Sequence, residues 1–117
     1  MSDNFYSAQA GSENFAVVTN AAGKTITLVG ALNFDTSNAK VVMMFDATAL
    51  PSSGAVPLVS VPIAAAISAT QPSPSSFSFP TGLTVQNGIV VACSTTAKTR
   101  TVDTTAGGNC KFLVVWK

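Results

Sequence analysis

The sequence predicts a single antiparallel β-sandwich of about eight short strands, jelly-roll-like in its winding, with an immunoglobulin-like sandwich as the alternative. Three observations predict it. Short apolar runs recur between clusters of Gly, Pro, Ser and Asn, the rhythm of strands and turns. No segment sustains helical spacing; AAAIS at 64–68 suffices for one turn at most. The 117 residues suit one domain, and two packed sheets are what such a string of strands can build. The Cys…Trp…Cys order of antibody domains is missing, because Trp116 follows both Cys93 and Cys110; this favours the jelly-roll version.

The elements follow in order. Residues 1–14 are small and polar and read as an N-terminal arm lying on a neighbouring subunit, with the sandwich domain spanning 15–117. FAVVT (15–19) is a first strand ending at NAAG. KTITLVGAL (24–32) alternates, with Ile26 and Leu28 on one face and Thr25 and Thr27 on the other. KVVMMFD (40–46) is apolar on both faces, as in a central strand covered on each side. ALPSSGAVP (49–57) is a turn. VPLVSVPIA (56–64) is extended but carries Pro57 and Pro62, which cannot donate ladder hydrogen bonds and therefore assign it to a sheet edge.

QPSPSS (71–76) reads as a proline-rich loop, FSFP (77–80) as a brief strand and TGLTVQNG (81–88) as an exposed turn region. IVVACS (89–94), KTRTVD (98–103) and CKFLVVWK (110–117) complete the series and read as a three-strand meander. Strand alternation places Cys93 with Ile89 and Val91, and Cys110 with Phe112, Val114 and Trp116. Both thiols thus face apolar surroundings, where cysteine behaves as a small hydrophobe. The outer strands of a meander lie two spacings apart, about 9.5 Å, which exceeds the reach of a disulfide. The expectation is therefore reduced thiols acting as packing. In KTRTV, the strip of Lys98, Arg100 and Val102 against Thr99 and Thr101 has two readings, a solvated threonine ladder and a subunit contact strip.

Composition bounds the function. Apolar residues make up 47% of the chain, enough for a core, whereas charged residues make up only 9%, against about 25% in ordinary globular proteins. A free monomer normally carries more surface charge, so the composition describes a surface covered by partners; a secreted Ser/Thr-rich β domain is the alternative. The net charge of +1 comes from scattered bases, with Lys98 and Arg100 as the one close pair, so nucleic acid is not an expected partner. No apolar run is long enough to span a bilayer as a helix, and no membrane role is expected. The leader MSDNFYSAQAGSEN lacks the basic start and apolar stretch of an export signal, which implies synthesis in cytoplasm.

Catalysis finds little support. The chain has no histidine, which removes Ser-His-Asp and Cys-His arrangements and most zinc-site spacings. Of five acids, Asp35 and Asp46 could be imagined as a glycosidase pair. Asp46 closing a strand before ATALPSSG reads more simply as a turn residue that accepts backbone amide bonds. GG in TTAGGN lies between strands and marks a hairpin turn rather than a phosphate loop. No enzyme activity, metal or cofactor is expected.

The segments MFDATALPSSGAVPLVSVPI, FSFPTGLTVQNGIVVACSTTAKT and CKFLVVWK together resemble a group of small all-β virion proteins encoded by tailed bacteriophages. The group shares an xFDA-type strand end, a P-x-x-G-x-V-P-L turn, an F-x-x-G-I-V-V-x-x-S-x-T strand, whose first position is Val85 in this chain, and a closing aromatic-rich strand. The likeness covers residues 40–117 and leaves the first third unmatched. It implies a non-enzymatic virion structural protein: a capsid decoration (cement) protein that binds the outside of the assembled head, with a fibre or tail component, including a lectin-like recognition module, as the alternative. It also implies partners among virion proteins, above all the major capsid protein, and a homo-oligomeric assembly. The expected contact surfaces are Asn4, Phe5 and Tyr6 in the arm; Gln71, Pro72, Pro74 and Phe77; Thr84, Gln86 and Asn87; and Lys98 with Arg100.

Overall fold

Residues 4–9, 15–18, 22–49, 51–68, 70–96 and 110–117 are described by a computed structural model. They form eight strands: β1 (Asn4–Gln9), β2 (Phe15–Val18), β3 (Thr25–Asn33), β4 (Lys40–Phe45), β5 (Val59–Ile63), β6 (Ser73–Thr84), β7 (Ile89–Ser94) and β8 (Cys110–Trp116). No helix occurs among the described residues, so the single helical turn considered at 64–68 does not form.

The strands build two four-stranded antiparallel sheets, β1-β8-β3-β6 and β2-β7-β4-β5. The order has a simple origin. Pair β1 with β8, β2 with β7, β3 with β6 and β4 with β5, and the chain is one long antiparallel ribbon. Rolling that ribbon on itself brings β3 beside β8 and β4 beside β7. This is the jelly-roll winding, and it settles the sequence-level alternative against the immunoglobulin-like order.

Burial explains the register. β4 and β7 are interior strands of their sheet, and apolar side chains on both faces of each are buried. Val42 and Met44 of β4, with Ile89, Val91 and Cys93 of β7, meet Ile26, Val29, Phe112 and Val114 between the sheets. On the opposite face Met43, Phe45, Val90 and Ala92 form a second cluster, packed by Val41 and by Ala47 and Ala55 of the connection that follows β4. β5 carries Pro62 at the sheet edge, as a proline within a strand requires, and Pro57 lies ahead of the strand. The Ser75 hydroxyl of β6 donates to the Pro62 carbonyl at 3.2 Å and ties the two sheets along that side.

Four expectations are corrected. β6 runs for 12 residues and takes in 73–76 of the proline-rich loop expected at 71–76 and 81–84 of the turn region expected at 81–88, whose remainder is a turn. It tolerates Pro74 and Pro80 because it is an edge strand, where a missing amide donor costs no interior ladder bond. Second, the alternation in β3 breaks at a register shift between Ile26 and Leu28. Ile26 and Val29 are fully buried while Leu28 is only half-buried. The bulge gives β3 one extra residue against β8, and the Thr27 hydroxyl donates to the Val115 carbonyl there at 3.3 Å.

Third, residues 4–9 of the expected arm are a strand of this chain's own sheet, paired with β8 from Asn4 opposite Trp116 to Gln9 opposite Lys111. A polar segment gains a place in a sheet through backbone hydrogen bonds, without needing an apolar face. Fourth, β7 and β8 lie in different sheets, so the expected meander does not exist; its middle segment, 98–103, lies outside the described residues.

Candidate functional site

The expected contact residues do not form one patch. Gln71 is exposed, Pro72 is half-buried and Pro74 is exposed, all at the start of β6. Thr84, Gln86 and Asn87 are exposed beyond its far end. β6 pairs along the length of β3, from Asn33 opposite Ser73 to Thr25 opposite Thr84, with a bulge in β6 between Ser78 and Leu83. That pairing spans roughly 25 Å, so the two groups lie at opposite ends of the strand pair. Phe77, expected at the surface, is half-buried and packs on the core, edge-to-face with Phe79 at 5.7 Å between ring centres. Alternation in β6 turns Phe77 and Phe79 inward and Ser76 and Ser78 outward. Asn4, Phe5 and Tyr6 lie in β1, opposite Trp116, Val115 and Val114 of β8. Lys98 and Arg100 lie outside the described residues.

The Gln86–Gly88 turn is held by a group far away in sequence. The Asp46 carboxylate accepts the amides of Gln86 at 3.0 Å, Asn87 at 2.8 Å and Gly88 at 3.2 Å. The Gln86 amide, with those of Asn87 and Gly88, holds the carboxyl below the usual aspartate range despite an opposing effect of burial. Asp46 is thus a turn residue, as its position suggested, but for a turn brought to it by the fold.

At the other end of β4 lies a buried polar cluster that sequence reasoning missed. Asn33 is fully buried, with Asp35 and Lys40 nearly so. The Asn33 side-chain amide donates to the carbonyls of Asn38 at 3.1 Å and Ala64 at 2.9 Å, and its oxygen accepts the Asp35 amide at 3.0 Å. The Asp35 carboxylate accepts the Ser37 and Asn38 amides at 2.9 and 3.2 Å and the Asn38 side chain at 3.1 Å, with the Lys40 ammonium at 3.5 Å. Burial pushes the Asp35 carboxyl up, but the Ser37 amide, Asn38 and the Lys40 charge outweigh it, and the group titrates below its ordinary range. The signal available in sequence was Asp35 followed by Ser37, Asn38 and Lys40, a turn-forming acid with a base at the head of the next strand.

A carboxylate with four such donors is organised to hold a loop. Asp35 and Asp46 flank β4, whose six residues separate them by roughly 20 Å. Glycosidase carboxylates stand about 5–9.5 Å apart, so these two do not face each other across a cleft. Among the described residues, no three or more His, Cys, Asp or Glu side chains group as metal ligands. An open hollow of about 270 Å³ lies on the outer face of the first sheet, where Gly30 lacks a side chain between Leu32, Lys111 and Leu113.

No family model and no curated protein matches the chain. A solved structure does. It is that of the Bacillus endospore appendages, described as a novel family of disulfide-linked pili. It is similar over 99% of this chain and 87% of that one, at 14% identity and a TM-score of 0.46.

The cysteines need the largest correction. The meander geometry placed their strands about 9.5 Å apart within one sheet. Instead Cys93 projects inward from β7 and Cys110 inward from β8 of the opposite sheet, and their sulfurs meet at 2.7 Å.

Proposed function

We propose that this chain is a non-enzymatic structural subunit of a bacteriophage particle, a capsid decoration protein that binds the outside of the assembled head and stabilises it. One observation carries the reading. The fold consumes charge that the sequence can hardly spare: Asp35 and Lys40 pair in the interior, and Asp46 is committed to a turn. Among the described residues this leaves Lys24, Lys111 and Lys117 as the exposed charged side chains. Among the described residues the exposed surface thus carries three lysines and no exposed acid, far below the charge of an ordinary globular surface, while Val56 and Ile67 stand 76% and 75% exposed. Such a surface suits permanent cover by other proteins better than life as a free monomer.

The jelly roll supports the reading by analogy alone, since the fold serves viral capsid and lectin domains alike. Decoration acts through binding. A subunit that adds buried surface only on the assembled shell stabilises that state by mass action. Many equivalent copies on one particle make the effect cumulative. Exposed residues at both ends of β6, Gln71 with Pro74 and Thr84 with Asn87, offer two separate footholds for bridging neighbouring capsid subunits. A homo-oligomer of this chain and other virion proteins are the remaining partners of this reading.

The second reading is a fibre or tail component with a recognition role, and the hollow beside Gly30, Lys111 and Leu113 is the feature that favours it. Counting copies per particle by mass spectrometry and cryo-electron microscopy separates the two. Hundreds of copies on the head, with particles lacking the protein losing heat resistance, support decoration. A dozen or fewer at the tail, with binding to host-surface glycans, support recognition. Absence from purified particles overturns both.

A further inference from the structure

Cys93 and Cys110 are fully buried, and each sits on an inward face of a different sheet. Their sulfurs stand 2.7 Å apart. Carbon atoms in ordinary non-bonded contact keep about 3.5–4.0 Å, and sulfur is larger than carbon. A covalent S–S bond measures about 2.0 Å, so a closing movement of about 0.7 Å separates this pair from bonding distance. Sandwich sheets can be bridged this way: antibody domains carry an inter-sheet disulfide in the same kind of core.

We propose that Cys93 and Cys110 are an oxidation site that forms an intrachain disulfide joining the two sheets. The reaction is thiol–disulfide exchange with an acceptor of the disulfide class, such as oxidised glutathione. One cysteine loses its proton and attacks the acceptor's S–S bond, which breaks and releases one thiol. The second cysteine loses its proton and displaces the other half of the acceptor as a second thiol. Two S–H bonds in the protein become one S–S bond, and two electrons and two protons leave with the acceptor.

The surroundings tolerate this change. The Cys110 thiol has a distant acceptor in the Asn33 side-chain oxygen at 4.0 Å, which also accepts the Asp35 amide at 3.0 Å. Oxidation removes the thiol proton without stranding that oxygen, because the amide bond to it remains. The apolar neighbours Val42, Val91 and Phe112 need no rearrangement of polar groups. Since both sulfurs are shielded from solvent, exchange takes place while the sheets are assembling or transiently parted. Once formed, the bond is equally shielded from reductants.

The bond would close the connection between β7 and β8, since Cys93 and Cys110 are 17 positions apart. Closing a loop of that order in the unfolded chain raises the melting temperature of a domain this size by roughly 10 °C or more.

The full chain is unfolded, refolded with oxidised glutathione, denatured again under non-reducing conditions, alkylated and weighed. The expected result is a monomer two hydrogens lighter than the reduced chain, no alkylated cysteine and a peptide in which Cys93 and Cys110 are cross-linked. Reduction under unfolding conditions then lowers the melting temperature by roughly the amount given above. Two alkylated cysteines per chain after this treatment overturn the proposal, as do bridges found only between chains. A Cys93→Ala, Cys110→Ala double variant is expected to melt at the same temperature with and without reductant; a persisting redox shift overturns the assignment. If that variant does not fold, the intact mass and peptide map of the unaltered chain still decide.

Discussion

The carboxylate of Asp46 reaches the backbone amide of Asn87 at 2.8 Å across 41 positions of sequence. Three consecutive amides converge on this one side chain, so the end of β4 and the β6–β7 turn form a single unit. Replacing Asp46 with Ala removes the acceptor while leaving the backbone in place. Water can reach the exposed Gln86 and Asn87 amides, whereas Gly88 is buried. The expected cost is therefore about 1–3 kcal/mol. Asp46→Asn, which keeps one acceptor oxygen, is expected to cost less. Chemical denaturation of the two variants gives the ranking, and an Ala variant as stable as the parent would show that the amides do not depend on this carboxylate.

The same bonds set the acid limit of stability. Asp35 and Asp46 both titrate below their ordinary range in the fold. Each therefore contributes stability that is complete above its unfolded value of about 3.9 and is lost as pH falls through the lowered folded value. The chain has no histidine, so no imidazole titrates near neutrality. The melting temperature is expected to be flat from about pH 5 to pH 8 and to fall below about pH 4. In Asp46→Asn the acid decline should be shallower, as thermal scans across pH will register.

Sequence reading succeeded where one face or both were apolar. FAVVT, KTITLVGAL, KVVMMFD, IVVACS and CKFLVVWK each fall within a residue of an observed strand end. It failed where the cause lay outside the local pattern. In β6, Ser, Pro and Gly spell a loop, and only the strand's position at a sheet edge makes them harmless. β1 has too few apolar residues to announce itself, and its order comes from backbone pairing with β8. One bulge beside Thr27 moved Leu28 out of the core, since a single extra residue inverts every face beyond it. The partnerships of Asp46 and of Cys93 depend on which strands the winding brings together. No local spacing encodes that.

Lys40 and Asp35 give an asymmetric prediction. Asp35→Ala removes the countercharge of a buried ammonium and the acceptor of the Ser37 and Asn38 amides together. Lys40→Met replaces the ammonium with an apolar chain of similar length and leaves the carboxylate its amide donors. Either variant breaks the buried pair from one side, which costs about 3–5 kcal/mol. Asp35→Ala should destabilise the fold more than Lys40→Met, because the carboxylate left in Lys40→Met keeps its Ser37 and Asn38 donors. Urea midpoints compared at one pH test this, and equal losses would refute the loop-holding role of Asp35.

Gly82 separates backbone strain from crowding. Its φ is +81°, and a β-carbon there would collide with the Thr25 methyl group. Gly23 has φ +74° with open space around the same position. Gly23→Ala is expected to cost about 1–2 kcal/mol, the left-handed penalty alone. Gly82→Ala should cost roughly 2–4 kcal/mol, because the bulged stretch of β6 must also move off β3. A Gly82→Ala, Thr25→Ser double variant should recover the crowding share, and its stability relative to Gly82→Ala reads that share directly.

Gly30 is expected to respond in the opposite sense. A β-carbon added there meets only the Leu113 β-carbon, at 3.9 Å, which is ordinary contact. The residue sits in the interior of β3, opposite Ser76 and Leu113, where a glycine gives up more backbone freedom on folding than any other residue. Gly30→Ala should therefore stabilise the domain by about 0.5–1 kcal/mol, chiefly by restricting the unfolded chain. It should also cover part of the hollow beside Lys111 and Leu113. Thermal unfolding of the variant is expected to shift upward by a few degrees. A downward shift would mean that the outer face of this sheet requires the close backbone approach that only glycine allows, and would point to a partner seated on it.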